Sequence, residues 1–231
     1  MNTAKIVAIT QPKLYATKST FPQYEPDQLM TADQFIAYAA RVSNPSNQMN
    51  TETSEKLLKY CIRNSHWSVF EMVNVVMEIE TTRDIARQIL RHRSFSFQEF
   101  SQRYADPTKD LGFVTRDARL QDTKNRQNSL DVDDMALQND WYRAQKRVLF
   151  AVEREYKWAI DNGIAKEQAR AVLPEGLTVS RMYMNGTLRS WIHYCELRMT
   201  PGTQKEHRIV AENAWNELAL YFKFLAENSP K

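Results

Sequence analysis

The segment Val73-Asn74-Val75-Val76-Met77-Glu78-Ile79-Glu80-Thr81-Thr82-Arg83-Asp84-Ile85-Ala86-Arg87-Gln88-Ile89-Leu90-Arg91-His92 decides the fold class, because its hydrophobic period changes partway along. Val73 to Thr81 is rich in β-branched residues and alternates imperfectly, which predicts a strand. Thr81 to His92 carries Ile85 and Ile89 at helical spacing, which predicts a helix. Working outward, residues 5 to 10 read as a short strand. Thr31-Ala32-Asp33-Gln34 has the capping-box pattern and opens a helix carrying Phe35, Ala39 and Val42. Residues 53 to 64 predict a second helix with Leu57, Leu58, Cys61 and Ile62 inward. Downstream, Asp133 to Asn162 reads as a long helix with a core stripe of Trp141, Val148, Leu149, Val152, Tyr156 and Ile160, and Gly163 stands where a C-cap would. A short helix over 165 to 173 is stopped by Pro174, residues 178 to 184 read as a strand, and helices over 187 to 197 and 204 to 227 follow. The expected fold is α+β: a small mixed or antiparallel sheet packed against several long helices, with residues 1 to 231 forming a single domain.

Composition narrows the function classes. Hydrophobic residues make up 42% and charged residues 26% of the chain, a globular balance. The early apolar run Ile6-Val7-Ala8-Ile9 is too short for a signal-peptide core, and no segment approaches a membrane span, so a cytoplasmic location is expected. Cys61 and Cys195 form no C-x-x-C pair, and no histidines sit at metal-ligand spacing, so neither a disulfide framework nor a metal is expected. The 31 basic residues are nearly matched by 28 acidic ones, which leaves no uniform field for wrapping nucleic acid. Five scattered glycines allow neither a G-x-G-x-x-G turn nor a P-loop. A bound nucleotide must therefore be held by Arg, Lys, Ser/Thr and helix N-termini.

That makes Arg91 to Tyr104 the informative stretch, with three arginines, a histidine, a glutamate and three serines among four aromatics. Guanidinium groups offer paired donors to phosphate or a carbonyl edge, serines fill remaining phosphate lone pairs, and aromatics stack on rings. Glu99 is suited to a ribose hydroxyl. Arg83, Arg87 and Arg91 share one helix face, on which Arg83 reads as part of a solvated basic stripe. Residues 105 to 132 are polar and aperiodic, contain Pro107 and Gly112, and read as a surface excursion without chemistry.

Arg91-His92-Arg93, then seven residues, Ser101 and Arg103-Tyr104 resemble the signature of flavin-dependent thymidylate synthases. Ser96 and Glu99 keep its spacing, while Gln98 stands where the family usually has Asn. His66-Trp67-Ser68-Val69-Phe70-Glu71 is similar to the family's His-x-Ser/Thr-x-Phe-Glu element, and Ala169 to Pro174 to its Ala-Arg-x-x-Leu-Pro element. Arg189 to Arg198 resembles its late nucleotide-binding helix. The resemblance implies that Gln88, Arg91, Ser101, Gln102, Arg103, Arg170 and Arg198 contact dUMP, with Glu99 on the ribose. It implies flavin contacts from Ser68, Arg91, His92, Arg93, Glu99, Thr187, Arg189 and His193; at 187 many members have Asn. It further implies FAD as cofactor, NADPH and 5,10-methylenetetrahydrofolate as co-substrates, and a homotetramer with sites shared between subunits.

In that reading Arg198 is the catalytic candidate, a fixed guanidinium that favours loss of the uracil N3 proton. Ser101 has no general base in its local pattern and reads as a binder, and neither cysteine is the nucleophile. His207 reads as structural. The competing reading is a single-stranded nucleic-acid module, with Arg91, Arg93 and Arg103 on phosphates and Phe95, Phe97 and Tyr104 as stacking platforms.

Overall fold

The computed structural model describes residues 1–14 and 29–227. Its strands are β1 (Thr3–Ile9), β2 (Asn74–Thr82), β3 (Ser96–Glu99), β4 (Arg119–Gln121), β5 (Ser129–Asp131) and β6 (Val179–Thr187). The helices are α1 (Ala32–Ala40), α2 (Ser54–Arg63), α3 (Arg83–Ile89), α4 (Pro107–Asp110), α5 (Met135–Asp161), α6 (Lys166–Ala169), α7 (Leu188–Arg198), α8 (Lys205–Tyr221) and α9 (Lys223–Ala226). A four-stranded antiparallel sheet runs in the order β1-β2-β6-β3, and β4 and β5 form a separate hairpin. The expected α+β class, with a small sheet against helices, is what the chain adopts.

The period-2 pattern of β2 explains the layering. Val75, Met77 and Ile79 point to one face and are fully buried, opposite Gly186, Met184 and Met182 of β6. The other face pairs Glu78 with Tyr183 and Glu80 with Arg181 across the strands, joined by a 2.8 Å hydrogen bond from the Tyr183 hydroxyl and one of 2.8 Å from Arg181 Nε. On the buried face Trp191 of α7 donates from Nε1 to the Val75 carbonyl at 3.0 Å, and residues of α1, α2, α3 and α8 complete the core.

Several expectations shift at the level of single faces. The Thr31 capping box is present, but α1 ends at Ala40 and buries Ala32, Ile36 and Ala37, leaving Val42 beyond it and exposed. On α5 the buried stripe is Gln145, Leu149, Val152, Tyr156 and Ala159, while Trp141 and Val148 are exposed. Its core is narrow, because Gln145 turns inward to hold the backbone of Arg116 through both ends of its amide. The last helix breaks at Phe222, where the chain turns to bury Phe222, Phe224 and Leu225.

Candidate functional site

Strand β2 passes directly into α3, whose last turn tightens as His92 N–H bonds the Ile89 carbonyl at 3.0 Å. The chain then folds back as β3 along β6. Gly186 permits that return: a Cβ there would lie 2.4 Å from Cδ1 of Phe95. Phe95 also meets the rings of Trp191 and Tyr194 edge-on, with centroids 5.0 and 6.0 Å away. Phe95 and Phe97 are thus packed on the core, which removes them as stacking platforms, and only Tyr104 of that trio is well exposed.

Arg83, Arg87, Gln102, Glu167, Arg170 and Glu175 line a cavity of about 380 Å³. Arg83 is not part of a solvated stripe: it is 6% exposed, because α3 lays its face against β3 and the 174–178 turn. Its Nη1 lies 3.5 Å from Glu99 and its Nε 3.7 Å from Glu175, while Arg87 lies 3.4 Å from the other oxygen of Glu99. The Ser180 hydroxyl donates to Glu99 at 2.9 Å. Burial pulls the Arg83 guanidinium below its usual pKa, against the pull of Glu99. Glu99, expected on a ribose, is held from three sides within its own chain. Among the described residues Arg83 Nε and Gln102 Nε2 are buried without a hydrogen-bond partner, Arg83 Nε keeping only its 3.7 Å ion pair with Glu175. Arg103 reaches the cavity's edge through a 3.3 Å ion pair with Glu167, and Ser101 Oγ accepts from the Arg103 backbone at 3.3 Å.

At the far end of α7, Arg198 Nε donates to His92 Nε2 at 2.9 Å. Burial, then the charges of Arg198 and Arg91, lower the His92 pKa to about 4. His92 is therefore neutral at pH 7 and protonated on Nδ1, and it orients Arg198 without neutralising it. Gln88, in the last turn of α3, donates from Nε2 to Gln204 Oε1 at 2.7 Å and faces His207 Nδ1 with its oxygen at 3.1 Å.

The residues implied for flavin are not brought together as one set: His92 stands against Arg198 and Glu99 against Arg83 and Arg87, while others lie elsewhere. Ser68 lies exposed on the 3-10 turn Trp67–Met72. From that turn Glu71 pairs with Arg189, and Trp67 meets the His193 ring edge-on at 4.7 Å. Thr187 caps α7, accepting from Ser190 N at 3.2 Å. Arg91 and Arg93 are exposed, with no side-chain partner among the described residues. Ser68, Thr187 and Arg189 thus stand near the start of α7 with His193 midway along it, whereas Arg198 ends it, about 15 Å from the start along the axis. Cys61 and Cys195 are both buried, and burial raises both thiol pKa values, Cys195 strongly.

Three features lay outside the sequence reading. Arg83 was legible only as one of three arginines on a face. Gln204 and Glu206 carry no local signature. The 105–132 segment does more than cover surface: Arg116 reaches Asp84 at 2.7 Å, and Arg119 reaches Glu206 at 2.6 Å.

A small antiparallel sheet bearing an arginine-lined cavity at its β2–α3–β3 return, with two buried thiols in its helices, defines the chain as an α+β protein. Residues 27–222 match the model of the family described as thymidylate synthase complementing protein. A probable flavin-dependent thymidylate synthase of Paramecium bursaria Chlorella virus 1 is 48% identical over 219 residues, covering 93% of this chain and 92% of that protein. The flavin-dependent thymidylate synthase of Synechocystis sp. is 52% identical over 182 residues, covering 79% and 82%. The chain belongs to the flavin-dependent thymidylate synthase family. The fold is shared with a UMP/dUMP methylase, PolB, from Streptomyces cacaoi solved with 5-Br UMP: TM-score 0.75 at 23% identity, covering 100% of this chain and 97% of that one.

Proposed function

We propose that this protein converts dUMP to dTMP, with FAD as cofactor, 5,10-methylenetetrahydrofolate as carbon donor and NADPH as reductant. The observation that carries the substrate reading is the cavity on which the side chains of Arg83, Arg87, Gln102 and Arg170 converge. Guanidinium and amide donors gathered around one cavity match the acceptor oxygens of a phosphate. Arg103 borders the same cavity through Glu167, with Ser101 bonded to its backbone, and an exposed pair such as Arg103–Glu167 exchanges its carboxylate for a phosphate at little cost.

The donor set near the start and middle of α7 fits a flavin dinucleotide: Ser68, Thr187, Arg189 and His193 offer hydroxyl, guanidinium and imidazole groups, and Arg91 and Arg93 offer unpaired charge. When bound, the flavin supplies the hydride that completes the new methyl group. This chain's residues hold and polarise the uracil. Arg198, fixed by neutral His92, keeps its charge and favours the ring that has lost its N3 proton, which raises electron density at C5. Ser101 and Arg103 position phosphate, and Gln88 orients the base. The unpaired Arg91 and the exposed Phe150 and Trp158 of α5 support a homotetramer with sites shared between subunits.

The test is the visible spectrum of the protein with added FAD, followed by anaerobic NADPH with and without dUMP, and then by methylenetetrahydrofolate with product analysis. Flavin bands that bleach faster with dUMP, and dTMP formed in proportion, are expected. A protein that binds no flavin would end the proposal.

A further inference from the structure

Gln88 belongs to a chain of hydrogen bonds whose direction can be worked out from one end. Arg119 pairs with Glu206 at 2.6 Å, and Gln204 Nε2 donates to the other Glu206 oxygen at 3.0 Å. Burial alone would raise the Glu206 pKa, but the hydrogen bonds from Arg119, its own backbone and Gln204 outweigh it and hold the pKa below the ordinary value. An ionised carboxylate only accepts, so Gln204 must present its Oε1 to Gln88. Gln88 therefore donates from Nε2 at 2.7 Å, and its Oε1 must accept from His207 Nδ1 at 3.1 Å. The His207 ring, fully buried, then has a bare Nε2 that accepts from the Tyr194 hydroxyl at 3.1 Å. Every step is forced by the one before it.

We propose that His207 is a positioning residue for the nucleotide site: with Gln204 and Glu206 it locks the Gln88 carboxamide in a single orientation, amide nitrogen outward along the chain. One Nε2 hydrogen of Gln88 goes to Gln204, and the second has no partner among the described residues. Gln88 thus offers a donor, rather than a freely rotating amide, to a carbonyl or phosphate oxygen of the bound nucleotide. The inference rests on the reading above that Gln88 meets dUMP. It also gives the β4–β5 hairpin a role, since Arg119 on β4 anchors the carboxylate that sets the polarity. Burial, with the charges of Arg198 and His92, lowers the His207 pKa to about 3, which keeps the ring neutral and the direction fixed at physiological pH.

Two substitutions separate positioning from packing. His207→Asn leaves an amide donor where Nδ1 stood, and His207→Gln leaves one where Nε2 stood but none facing Gln88. Each breaks one buried hydrogen bond, so a purely structural role predicts similar losses of stability and similar kinetics. Positioning predicts that His207→Gln raises the KM for dUMP about tenfold, the worth of one well-made hydrogen bond. His207→Asn should stay within about threefold on the same reasoning, with flavin affinity retained in both. Equal shifts in the two variants, or none, would overturn the proposal. Nitrogen-15 spectra of histidine-labelled wild-type protein decide it independently of any variant's folding. A neutral Nδ1–H tautomer for His207 supports the chain, and an Nε2–H tautomer refutes it. A wild type that bound no dUMP would sink the proposed function instead, while the tautomer result would still judge the chain of hydrogen bonds.

Discussion

Replacing Glu99 by Gln should unfold this protein more readily than any change to the half-exposed arginine beside it. Arg83 is 7% exposed in its side chain and Glu99 15%, with 3.5 Å between charged atoms. At that distance an effective dielectric of about 20 gives roughly 5 kcal/mol of attraction. Glu99→Gln removes it while leaving the guanidinium buried, and Glu175, 55% exposed at 3.7 Å, is a poor substitute. A buried pair broken from one side costs about 3–5 kcal/mol. Arg87, with its side chain 47% exposed, pairs with the same carboxylate, but solvent limits that pair to under about 1 kcal/mol. Arg83→Met should cost only about 1–2 kcal/mol, because Arg87 and Ser180 still serve Glu99. The double variant Arg83→Met/Glu99→Gln should recover at least about 2 kcal/mol relative to the sum of the singles. Urea titrations at constant m-value measure each term. Additive losses in the double variant would refute the reasoning, since the stored cost would then not be an orphaned charge.

Three further outcomes follow from the same geometry. The His207 pKa, lowered to about 3, lies below the unfolded value of about 6.5, so the unfolded chain takes up the proton first. Stability should be whole above about pH 6.5 and fall as pH drops toward 3, by about 2 kcal/mol at pH 5; His92, at about 4, adds in the same direction. Urea midpoints that held level between pH 7.5 and 5 would contradict this. Gly186→Ala drives a methyl into the Phe95 ring and should cost about 1–3 kcal/mol, with a larger loss of flavin and dUMP affinity than of helix content, read by titration and circular dichroism. Cys61→Ser and Cys195→Ser, each burying a hydroxyl, should lower the melting temperature while leaving dTMP formed per flavin oxidised unchanged; loss of product from a folded variant would restore a cysteine nucleophile.

The local chemistry of the chain was legible from residue order alone. Period-2 and period-3.6 patterns fix β2, α3 and α7 because each is set by which side chains must leave water, and the Thr31 capping box needs only four consecutive residues. The Arg91 to Tyr104 signature is likewise local, since its spacing survives any arrangement of the rest. Tertiary structure decided what crosses large sequence separations. Arg83 reads as a surface arginine until β3 and the 174–178 turn close over it, and His207 reads as structural until its ring meets Gln88, 119 residues away. Burial and hydrogen-bond direction are properties of neighbours brought together by the sheet order β1-β2-β6-β3, which no periodicity encodes. The sequence by itself therefore determined which groups are available for chemistry, and the fold decided which of them are desolvated, paired and held in one orientation.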